Sequence, residues 1–531
     1  MNPDKPASPY DAMNQLIPRR TMIKGLAAST AVAASAGVMP SLRGAAASQD
    51  NAPKTGGVLR AGQQENMSSL DPHFSIFGGD RDVLFQIFDT VTRFDEQLNV
   101  LPCLAESWEV VDPTTYTFTF RQGVTFHDGT AMNAEAFKFN IERIKTAGDT
   151  SPFAADFSAI TSIDIVDEYT AKLTLSEPVV ALPAMLADRG GMMISPTAAA
   201  ELGDEFENQP VGAGPFQFVE YIPDDRIVVE RFPEYWEPNL PYLDGITWSI
   251  IPDQHQRFAD LQAGEIDITL EVAPQDITSL KEGIGLDFLE TLSLGFEDLR
   301  FDCSEPPFDN IALRQACAWA MDRQAIVDEV YLGHAEVARG PFPPTTWAAN
   351  ADLKGFPRDL EKARELLVEA GYPDGVDVEW DVPTGGDNVR RAEAMQAQVA
   401  EVGIRVTLNP MDKVEAKQRE LDGTFQAEAL SWTGRADPDL TMFSLFHTAG
   451  GYNTMGYTNA RVDDLIEQAR LTADQAERKA MYDEAQAIVV EEAPRLFIVH
   501  RLEVAAFQPI VQGVHFYADA RTRYTWTWLD Q

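Results

Sequence analysis

The stretch VDVEWDVPTGGDNVRRAEAMQAQVAEVGIRVTL, residues 376–408, contains three successive patterns that together indicate a fold class. Apolar and polar residues alternate from Val376 to Val382, as in a half-buried strand. A segment with helical spacing follows and ends at Gly403, and a second strand pattern starts at Ile404. Strand, helix and strand in this order predict a βαβ unit with parallel strands and a right-handed crossover. The sequence therefore predicts an α/β fold in this region.

Two loops that follow strands of this region are candidates for a binding site. The loop PTGGDN (Pro383–Asn388) leaves the first strand of the βαβ unit, and WTGRADPD (Trp432–Asp439) leaves a later strand. In open α/β sheets, ligands bind beside the carboxyl ends of the strands. If the two strands are neighbours, both loops face the same crevice.

The second loop carries two residues with specific chemistry, and each has two interpretations. Trp432 either closes a domain core or forms an apolar wall for a ligand, with an N–H group at its edge. Arg435 either binds a carboxylate or phosphate through its planar guanidinium or forms a salt bridge with the nearby aspartates. The sequence leaves both pairs of alternatives open.

The aspartates of the same loop, Asp437 and Asp439, flank Pro438. Loop carboxylates bind hard cations such as Ca²⁺, but a calcium loop supplies more oxygens at alternating positions. Aspartate before proline favours a turn, and Asp439 is a candidate cap for a helix that starts near Leu440. We therefore favour a turn and a helix cap over a metal site.

The composition and the motif content exclude several classes of function. The sequence has no Walker A, HExxH, GxSxG or paired CxxC motif, and its seven histidines show no metal-ligand spacing. We therefore predict that the protein is not an enzyme and holds no metal or cofactor. With 83 acidic and 42 basic residues, the net charge of -41 argues against nucleic acid as a partner. The length of 531 residues predicts two or three domains.

Strand patterns dominate from Val91 to about Thr174 and predict an α+β module. The run TYTFTF alternates aromatic and polar residues, and SIDIVDEYTAKLTLS has the pattern of a hairpin. Between them, NAEAFKFNIERI has helical spacing, with Asn133 as its N-cap.

The N-terminus has the layout of a twin-arginine export signal. Arg19 and Arg20 precede an apolar run from Gly25 to Met39, and small residues follow it. We predict a signal peptide over 1–47 and a linker over 48–55, and hence a periplasmic protein. The apolar run is shorter than the roughly 18–20 residues that a membrane span needs.

Cys103, Cys303 and Cys317 do not define a disulfide framework. One bridge, such as Cys303–Cys317, is compatible with an oxidising compartment, and so are three free thiols. The sequence leaves this choice open.

Motifs from Gly56 to about Trp528 occur in the order found in one transport family. They are GGVLRAG with LDPH, LPCLAESWEV, TYTFTFRQGVTFHDGTAMNAEAFKF, PVGAGPFQFVEY, LRQACAWAMDRQAIVDEVYLGHA, DLEKARELLVEAGYPDG and GYTNARVDDLIEQA. The chain resembles the extracytoplasmic solute-binding proteins of ABC importers, in the dipeptide, oligopeptide and nickel group (family 5). This resemblance implies an α/β, two-lobed periplasmic-binding-protein fold of type II, with an extra α+β subdomain in the first lobe.

The resemblance also implies domain boundaries. Lobe I comprises 56–91, 206–292 and 503–531, the extra subdomain comprises 92–205, and lobe II comprises 293–502. The chain then crosses between the lobes near Phe296–Phe301 and Ile498–Val504, which are the hinge candidates.

The resemblance places a ligand contact in the loop after Trp432. In the peptide-binding relatives, an aspartate three residues beyond the matching tryptophan holds the amino group of the peptide. Here that position is Arg435, and a cation there repels an ammonium group. The departure implies a ligand with an anionic or strongly accepting group. Further expected contacts are Asn388, Tyr452, Asn453, Phe77 and Asp437.

The function implied is that of the periplasmic solute-binding component of an ABC importer. Such a protein captures a small polar solute, here peptide-like, opine-like or otherwise anionic, and delivers it to a membrane permease and its ATPase. We expect a monomer that does not span the membrane. A nickel-type metal-chelate binder stays open, because arginines hold the chelator's carboxylates in that type. A secreted hydrolase and a sensory partner are further alternatives, although no nucleophile–base pair supports the hydrolase.

Overall fold

The computed structural model describes residues 52–531, so the predicted signal peptide lies outside the described residues. Residues Lys54–Gln531 form one compact unit. Up to residue 301 the elements are, in order, β1 (Val58–Gln63), α1 (Arg81–Ile87), β2 (Thr92–Phe94), β3 (Val100–Pro102), β4 (Ala105–Asp112), β5 (Thr115–Phe120), α2 (Ala134–Ala147), β6 (Ile160–Asp167), β7 (Thr170–Leu175), α3 (Leu182–Met185), α4 (Pro196–Leu202), β8 (Phe216–Ile222), β9 (Arg226–Arg231), β10 (Gly245–Ile250), α5 (Gln254–Ala263), β11 (Ile268–Thr269), α6 (Pro274–Glu282), β12 (Asp287–Leu292) and β13 (Phe296–Phe301).

Most of the helices lie after residue 301. They are α7 (Ile311–Ala320), α8 (Arg323–Glu329), β14 (Ala335–Val337), α9 (Leu360–Glu369), β15 (Val376–Pro383), α10 (Asn388–Ala400), β16 (Ile404–Met411), α11 (Lys413–Leu421), β17 (Ala427–Trp432), α12 (Pro438–Phe446), α13 (Ala460–Leu471), α14 (Gln475–Glu492), β18 (Arg495–Phe507), β19 (Val511–Gln512), β20 (His515–Phe516), β21 (Thr522–Arg523) and β22 (Trp528–Leu529).

One 12-stranded sheet runs through the molecule in the order β16-β15-β17-β13-β18-β11-β1-β10-β9-β8, and β12 and β14 pair with β18 outside this path. Strand β18 belongs to both parts of the sheet. Residues 495–501 pair with β13 and β14, whereas residues 502–507 pair with β11 and β12. We call the part with β1 and β8–β12 lobe I, and the part with β13–β17 and helices α7–α14 lobe II.

The chain crosses between the lobes at two places. The first crossing is the segment 293–295 between β12 and β13, and the second lies between Arg501 and Leu502 inside β18. The second crossing falls within the predicted hinge stretch Ile498–Val504, and the first directly precedes Phe296–Phe301. The exact lobe boundaries and the hinge motion stay predictions.

The βαβ unit of the sequence analysis is present in lobe II. Strands β15 and β16 are parallel, with Val376 opposite Ile404, and α10 connects them. Strand β17 is also parallel to β15, with Trp380 opposite Ala427. The two candidate loops therefore leave neighbouring strands at the same edge of the sheet. Trp380 is fully buried in the lobe II core on the same face of β15 as Val376 and Val378, whereas Asp377 and Glu379 on the other face are exposed.

A separate four-stranded antiparallel sheet, β4-β5-β7-β6, forms the core of the extra subdomain together with α2. Asn133 caps α2, since its side chain accepts a hydrogen bond from Ala136 N at 3.1 Å. The aromatic side chains of β5 pack on the helix, with the rings of Phe120 and Phe137 5.0 Å apart. The alternation of TYTFTF thus places its aromatic residues in this core.

The structure contains neither a disulfide, nor a membrane-spanning helix, nor a metal-binding cluster among residues 52–531. All three cysteines are free thiols. No helix within residues 52–531 is long and apolar enough to cross a membrane. The same part of the chain contains no cluster of three His, Cys, Asp or Glu side chains suited to hold a metal ion.

Candidate ligand-binding site

Loops of lobe I and lobe II meet between the lobes. A Cβ atom built on Gly78 would lie 2.8 Å from Thr433 Cγ2, so the Gly78 backbone packs closely against the side chain of Thr433. Lys413 Nζ, at the start of α11, lies 2.9 Å from Glu65 Oε2 and 4.2 Å from the centroid of the Phe77 ring. We call the region between the lobe I loop 75–80 and the lobe II loop 433–437 the interlobe cleft.

Trp432 ends β17 at the border of this cleft. It is 9% exposed and belongs to an apolar cluster of lobe II with Phe296 and Met442. Its Nε1 donates a hydrogen bond to Thr441 Oγ1 at 3.3 Å, and its ring meets the Tyr452 ring edge-on at 5.3 Å. The indole therefore contributes to the core and also presents a ring to the cleft.

Arg435 lies over that ring, with its guanidinium carbon 4.7 Å from the ring centroid. Its hydrogen bonds go to Thr433 Oγ1 at 3.2 Å and to the carbonyl of Gly434 at 2.9 Å. Within residues 52–531 no carboxylate lies at ion-pair distance from it. The interpretation of Arg435 as a salt-bridge partner of the nearby aspartates is therefore wrong, because other arginines pair with both.

Asp437 and Asp439 lie at the N-terminus of α12. Asp437 caps the helix by accepting from Asp439 N at 2.9 Å, and Arg478 lies 2.7 Å from its carboxylate. Asp439, which we expected to be the cap, lies instead in the first turn, 3.2 Å from Arg470, because the helix begins at Pro438 rather than near Leu440. Burial raises the pKa of Asp439 to about 6, although the charge of Arg470 opposes this shift.

Opposite Arg435 lies a group of charges, which consists of the buried Arg81 and Arg189 and the partly exposed Asp188. Arg81 Nη1 lies 3.2 Å from Asp188 Oδ2. Arg189 Nη1 donates to the carbonyls of Ser75 and Phe77 at 2.9 and 3.0 Å, and so holds the lobe I loop in place. Burial opposes ionisation of Asp188, but the charges of Arg81, Arg189 and Arg435 hold its pKa well below the usual range. This wall of the cleft therefore interacts electrostatically with Arg435 across the gap.

The remaining predicted contacts lie at different distances from this centre. Tyr452 contacts Trp432, and Lys417 Nζ lies 5.3 Å from the centroid of its ring. Asn453 Nδ2 donates to the carbonyls of His447 and Tyr457 at 3.0 and 2.7 Å, which fixes its own loop. Asn388 Nδ2 donates to the carbonyl of Pro383 at 3.1 Å, at the start of α10. Among the described residues, no side-chain hydrogen bond joins either asparagine to Trp432 or Arg435.

On the lobe I side of the cleft, the sequence predicted Phe77 but missed the charged residues. Asp188 and Arg189 stand in the run ADRGG, and Glu65 stands in QQENM, and neither run has a recognisable motif. Apart from the adjacent pair Asp188 and Arg189, the partners of these residues are more than 100 positions away, as with Glu65 and Lys413, which are 348 residues apart. No local signal in the sequence could have paired them.

Comparison with known proteins places this two-lobed arrangement in a family. A family model described as bacterial extracellular solute-binding proteins, family 5, middle part, matches residues 99–454. The chain belongs to this family. A curated relative is the glutathione-binding protein GsiB of Shigella flexneri, which is 32% identical over 461 residues, covering 84% of this chain and 90% of the relative.

Two solved structures with 28% identity support the same fold. The periplasmic binding protein DppA of Helicobacter pylori, in complex with the peptide STSA, has a TM-score of 0.84 and covers 90% of this chain and 99% of its own. AgaA of A. tumefaciens R10, in complex with agropinic acid, has a TM-score of 0.82 with the same coverage. The predicted two-lobed periplasmic-binding-protein fold is thus confirmed.

The predicted function is confirmed at the level of the family. The protein is a solute-binding component of an ABC importer, and its family consists of binding proteins rather than of enzymes.

Proposed function

We propose that this protein binds a small solute with at least one carboxylate, and that Arg435 holds this carboxylate in the interlobe cleft. The observation that carries the proposal is that Arg435 lies at the cleft, over the Trp432 ring, with no carboxylate of the described residues at ion-pair distance. An arginine that is preoriented by an aromatic ring is well suited to a bidentate carboxylate contact.

The surroundings of Arg435 support an anionic rather than a cationic solute. Arg81 and Arg189 lie on the facing wall on either side of Asp188, and Asp156 is the second carboxylate within electrostatic range of Arg435, so the cations outnumber the carboxylates. A free ammonium group placed next to Arg435 would be repelled, which disfavours peptides bound through their amino terminus. The names of two relatives point in the same direction, since glutathione and agropinic acid both carry carboxylates.

Aromatic side chains supply the apolar contacts in this proposal. Trp432, Tyr452 and Phe77 surround the cleft centre and would cover the carbon skeleton of the solute. Asn388 remains a proposed polar contact at the neighbouring loop. Asn453 and Asp437 are engaged in hydrogen bonds inside lobe II, so we assign them a supporting role for the loops that carry the contacts.

Transport requires that the lobes separate and close. We propose that they move about the crossings at 293–295 and 501–502, and that the permease and its ATPase recognise the closed form. We also propose export by the twin-arginine route to the periplasm, action as a monomer and no bound cofactor. A signal with two arginines at positions 19 and 20 supports the export route.

Calorimetric titration with pairs of matched ligands tests the carboxylate requirement. One member of each pair has a free carboxylate and a blocked amine, and the other has a free amine and an amidated carboxyl group; glutathione and agropinic acid complete the panel. We expect the carboxylate members to bind at least about 10-fold more tightly, since a charge-assisted hydrogen bond contributes about 1.5–3 kcal/mol. Preferential binding of the amine members would contradict the proposal.

A chelated metal is the second candidate solute, because Arg435 is also placed to hold the carboxylate of a chelator. Titration with Ni²⁺ in the presence of free histidine, compared with histidine alone, separates the two candidates. Binding that needs both components would favour the chelate.

A further inference from the structure

Lobe II contains a cavity of about 240 Å³ that shares no lining residue with the interlobe cleft. It lies where α7 meets α8, and β14, the first residues of β18 and the loop 354–358 form its other walls. Apolar side chains such as Phe356 and Phe497 line part of it. The cavity is therefore a concave site inside one lobe and does not depend on lobe closure.

The charge of the lining is opposite to that of the whole chain. Five cationic side chains line the cavity, and Asp322 is the one carboxylate among the lining residues: the cations are Arg323, Arg339, Lys354, Arg358 and Arg495. Asp322 caps α8 by accepting from Ala325 N at 3.0 Å. In a protein of net charge -41, such a concentration of positive charge needs a local explanation.

Arg323 provides the buried part of this charge. It is 8% exposed, and its Nε and Nη1 atoms donate to the carbonyls of Phe497 at 2.8 Å and Phe356 at 2.9 Å. Its Nη2 atom has no hydrogen-bond partner, and no carboxylate pairs with it, among the described residues. Burial lowers the pKa of Arg323 to about 10 with no carboxylate to offset it. A buried cation without a counter-charge is unfavourable, so an anion from solution would stabilise this site.

Two further cations at the rim are also unpaired. Arg339 and Lys354 are exposed and make no side-chain hydrogen bond or ion pair with any residue that the structure describes. The other two lining cations are neutralised, since Arg358 lies 2.5 Å from Glu401 and Arg495 lies 2.6 Å from Asp298. Three positive charges of the cavity thus remain without a counter-charge.

We propose that this cavity binds a small multivalent anion of the phosphate class, with Arg323 contacting it from the buried side and Arg339 and Lys354 from the rim. Three unpaired cations match an anion with more than one negative charge, and their several N–H donors match the oxygens of a phosphate group. The free anion is favoured over a phosphate of a lipid headgroup. The reason is that an anionic membrane surface repels a chain with this net charge.

Calorimetric titration of the purified protein with inorganic phosphate and pyrophosphate, at constant ionic strength, tests the proposal. The test variant is Arg339→Gln with Lys354→Gln, because both side chains are exposed and unpaired and their loss leaves the fold intact. The matched control is Arg405→Gln with Lys172→Gln, two exposed cations outside the cavity that change the net charge equally. We expect the Kd for pyrophosphate to rise at least about 10-fold in the test variant and less than about 2-fold in the control.

Several outcomes would overturn the proposal. One is the absence of saturable binding of either anion, and another is an equal weakening in the two double variants, which would indicate a net-charge effect. Loss of pyrophosphate binding in Arg435→Ala would place the anion in the interlobe cleft instead. Binding of the protein to phosphatidylglycerol vesicles without binding of free phosphate would show that the cavity is a membrane contact.

Discussion

The arginines of lobe II fall into two groups that differ in what neutralises them. Inside the sheet, Arg300 contacts Glu428 and lies 2.9 Å from Glu420, and all three side chains are at most 4% exposed. At the cleft, Arg435 lies on an aromatic ring and has no carboxylate at ion-pair distance in the described chain. Charges that the chain itself neutralises stabilise the lobe, whereas a charge left unpaired at the cleft is available to a solute.

The largest expected effect follows from breaking the buried network. Arg300→Met leaves Glu428 as a buried carboxylate without its cation and removes one of the two cations of Glu420, which keeps Lys417 at 2.8 Å; the free energy of unfolding should fall by about 3–5 kcal/mol. Urea unfolding measures the loss. The control is Arg405→Met, because the Arg405–Asp377 pair is exposed and should contribute less than about 1 kcal/mol. Equal losses in the two variants would remove the distinction between buried and exposed pairs.

The pH dependence of stability should separate a well-paired carboxylate from a poorly paired one. Asp439 has a folded pKa of about 6, raised from 3.8 by burial, so its contribution to stability is present at low pH and is lost as the pH rises from about 4 to 6. A raise of this size corresponds to on the order of 3 kcal/mol. The difference in unfolding free energy between wild type and Asp439→Asn should therefore fall across this window.

The contribution of Glu420 to stability should depend on pH in the opposite direction. Burial disfavours its charge, but Arg300 lowers its folded pKa to about 2, so its stabilisation is present above about pH 4.5 and is lost as the pH falls towards 2. Wild type and Glu420→Gln, compared by urea unfolding between pH 7 and pH 3, report this loss. A constant difference over that range would show that the ion pair does not shift the pKa of Glu420.

Replacement of Arg435 should lower the affinity for the solute without lowering stability, whereas Arg300→Met should lower stability. Arg435→Ala should weaken binding of the carboxylate solute by about 1.5–3 kcal/mol, a loss of roughly 10-fold to 150-fold, and leave the unfolding free energy within about 0.5 kcal/mol of wild type. Calorimetry and urea unfolding on the same preparations measure both. Arg461→Ala, which removes an exposed arginine paired with Glu484, is the control. A variant that loses stability but keeps its affinity would make Arg435 a structural residue.

The smallest effect is expected at the contact between the lobes. Glu65→Gln removes the pair with Lys413, which should weaken solute affinity by less than about 1 kcal/mol, because half-exposed pairs contribute little. Glu484→Gln, which breaks an exposed pair inside lobe II, should leave affinity unchanged. Small-angle scattering of the solute-free variants would show whether only Glu65→Gln increases the radius of gyration. No difference between the two would mean that the Glu65–Lys413 pair does not favour closure.

Local features of the fold were predictable because a few neighbouring residues determine them. The alternation around Trp380, the cap of α2 by Asn133 and the order of strand, helix and strand all appear in the structure as the pattern indicated. The cap of α12 was assigned to Asp439 instead of Asp437, since both aspartates flank Pro438 and the pattern does not select between them. The sequence patterns did not show whether β15 and β17 are neighbours. The structure shows that they pair, with Trp380 opposite Ala427, 47 residues further along the chain.

By itself the sequence determined the α/β character of lobe II, the α+β module and, through its ordered motifs, the family and its two-lobed fold. Only the tertiary structure decided which charges are neutralised, because the partners come from segments far apart in the chain. It brought Asp188 and Arg189 opposite Arg435, joined Glu65 to Lys413, and left Arg323 unpaired in its cavity. Helices and strands follow from local periodicity, whereas the charge of a binding site depends on how distant loops pack.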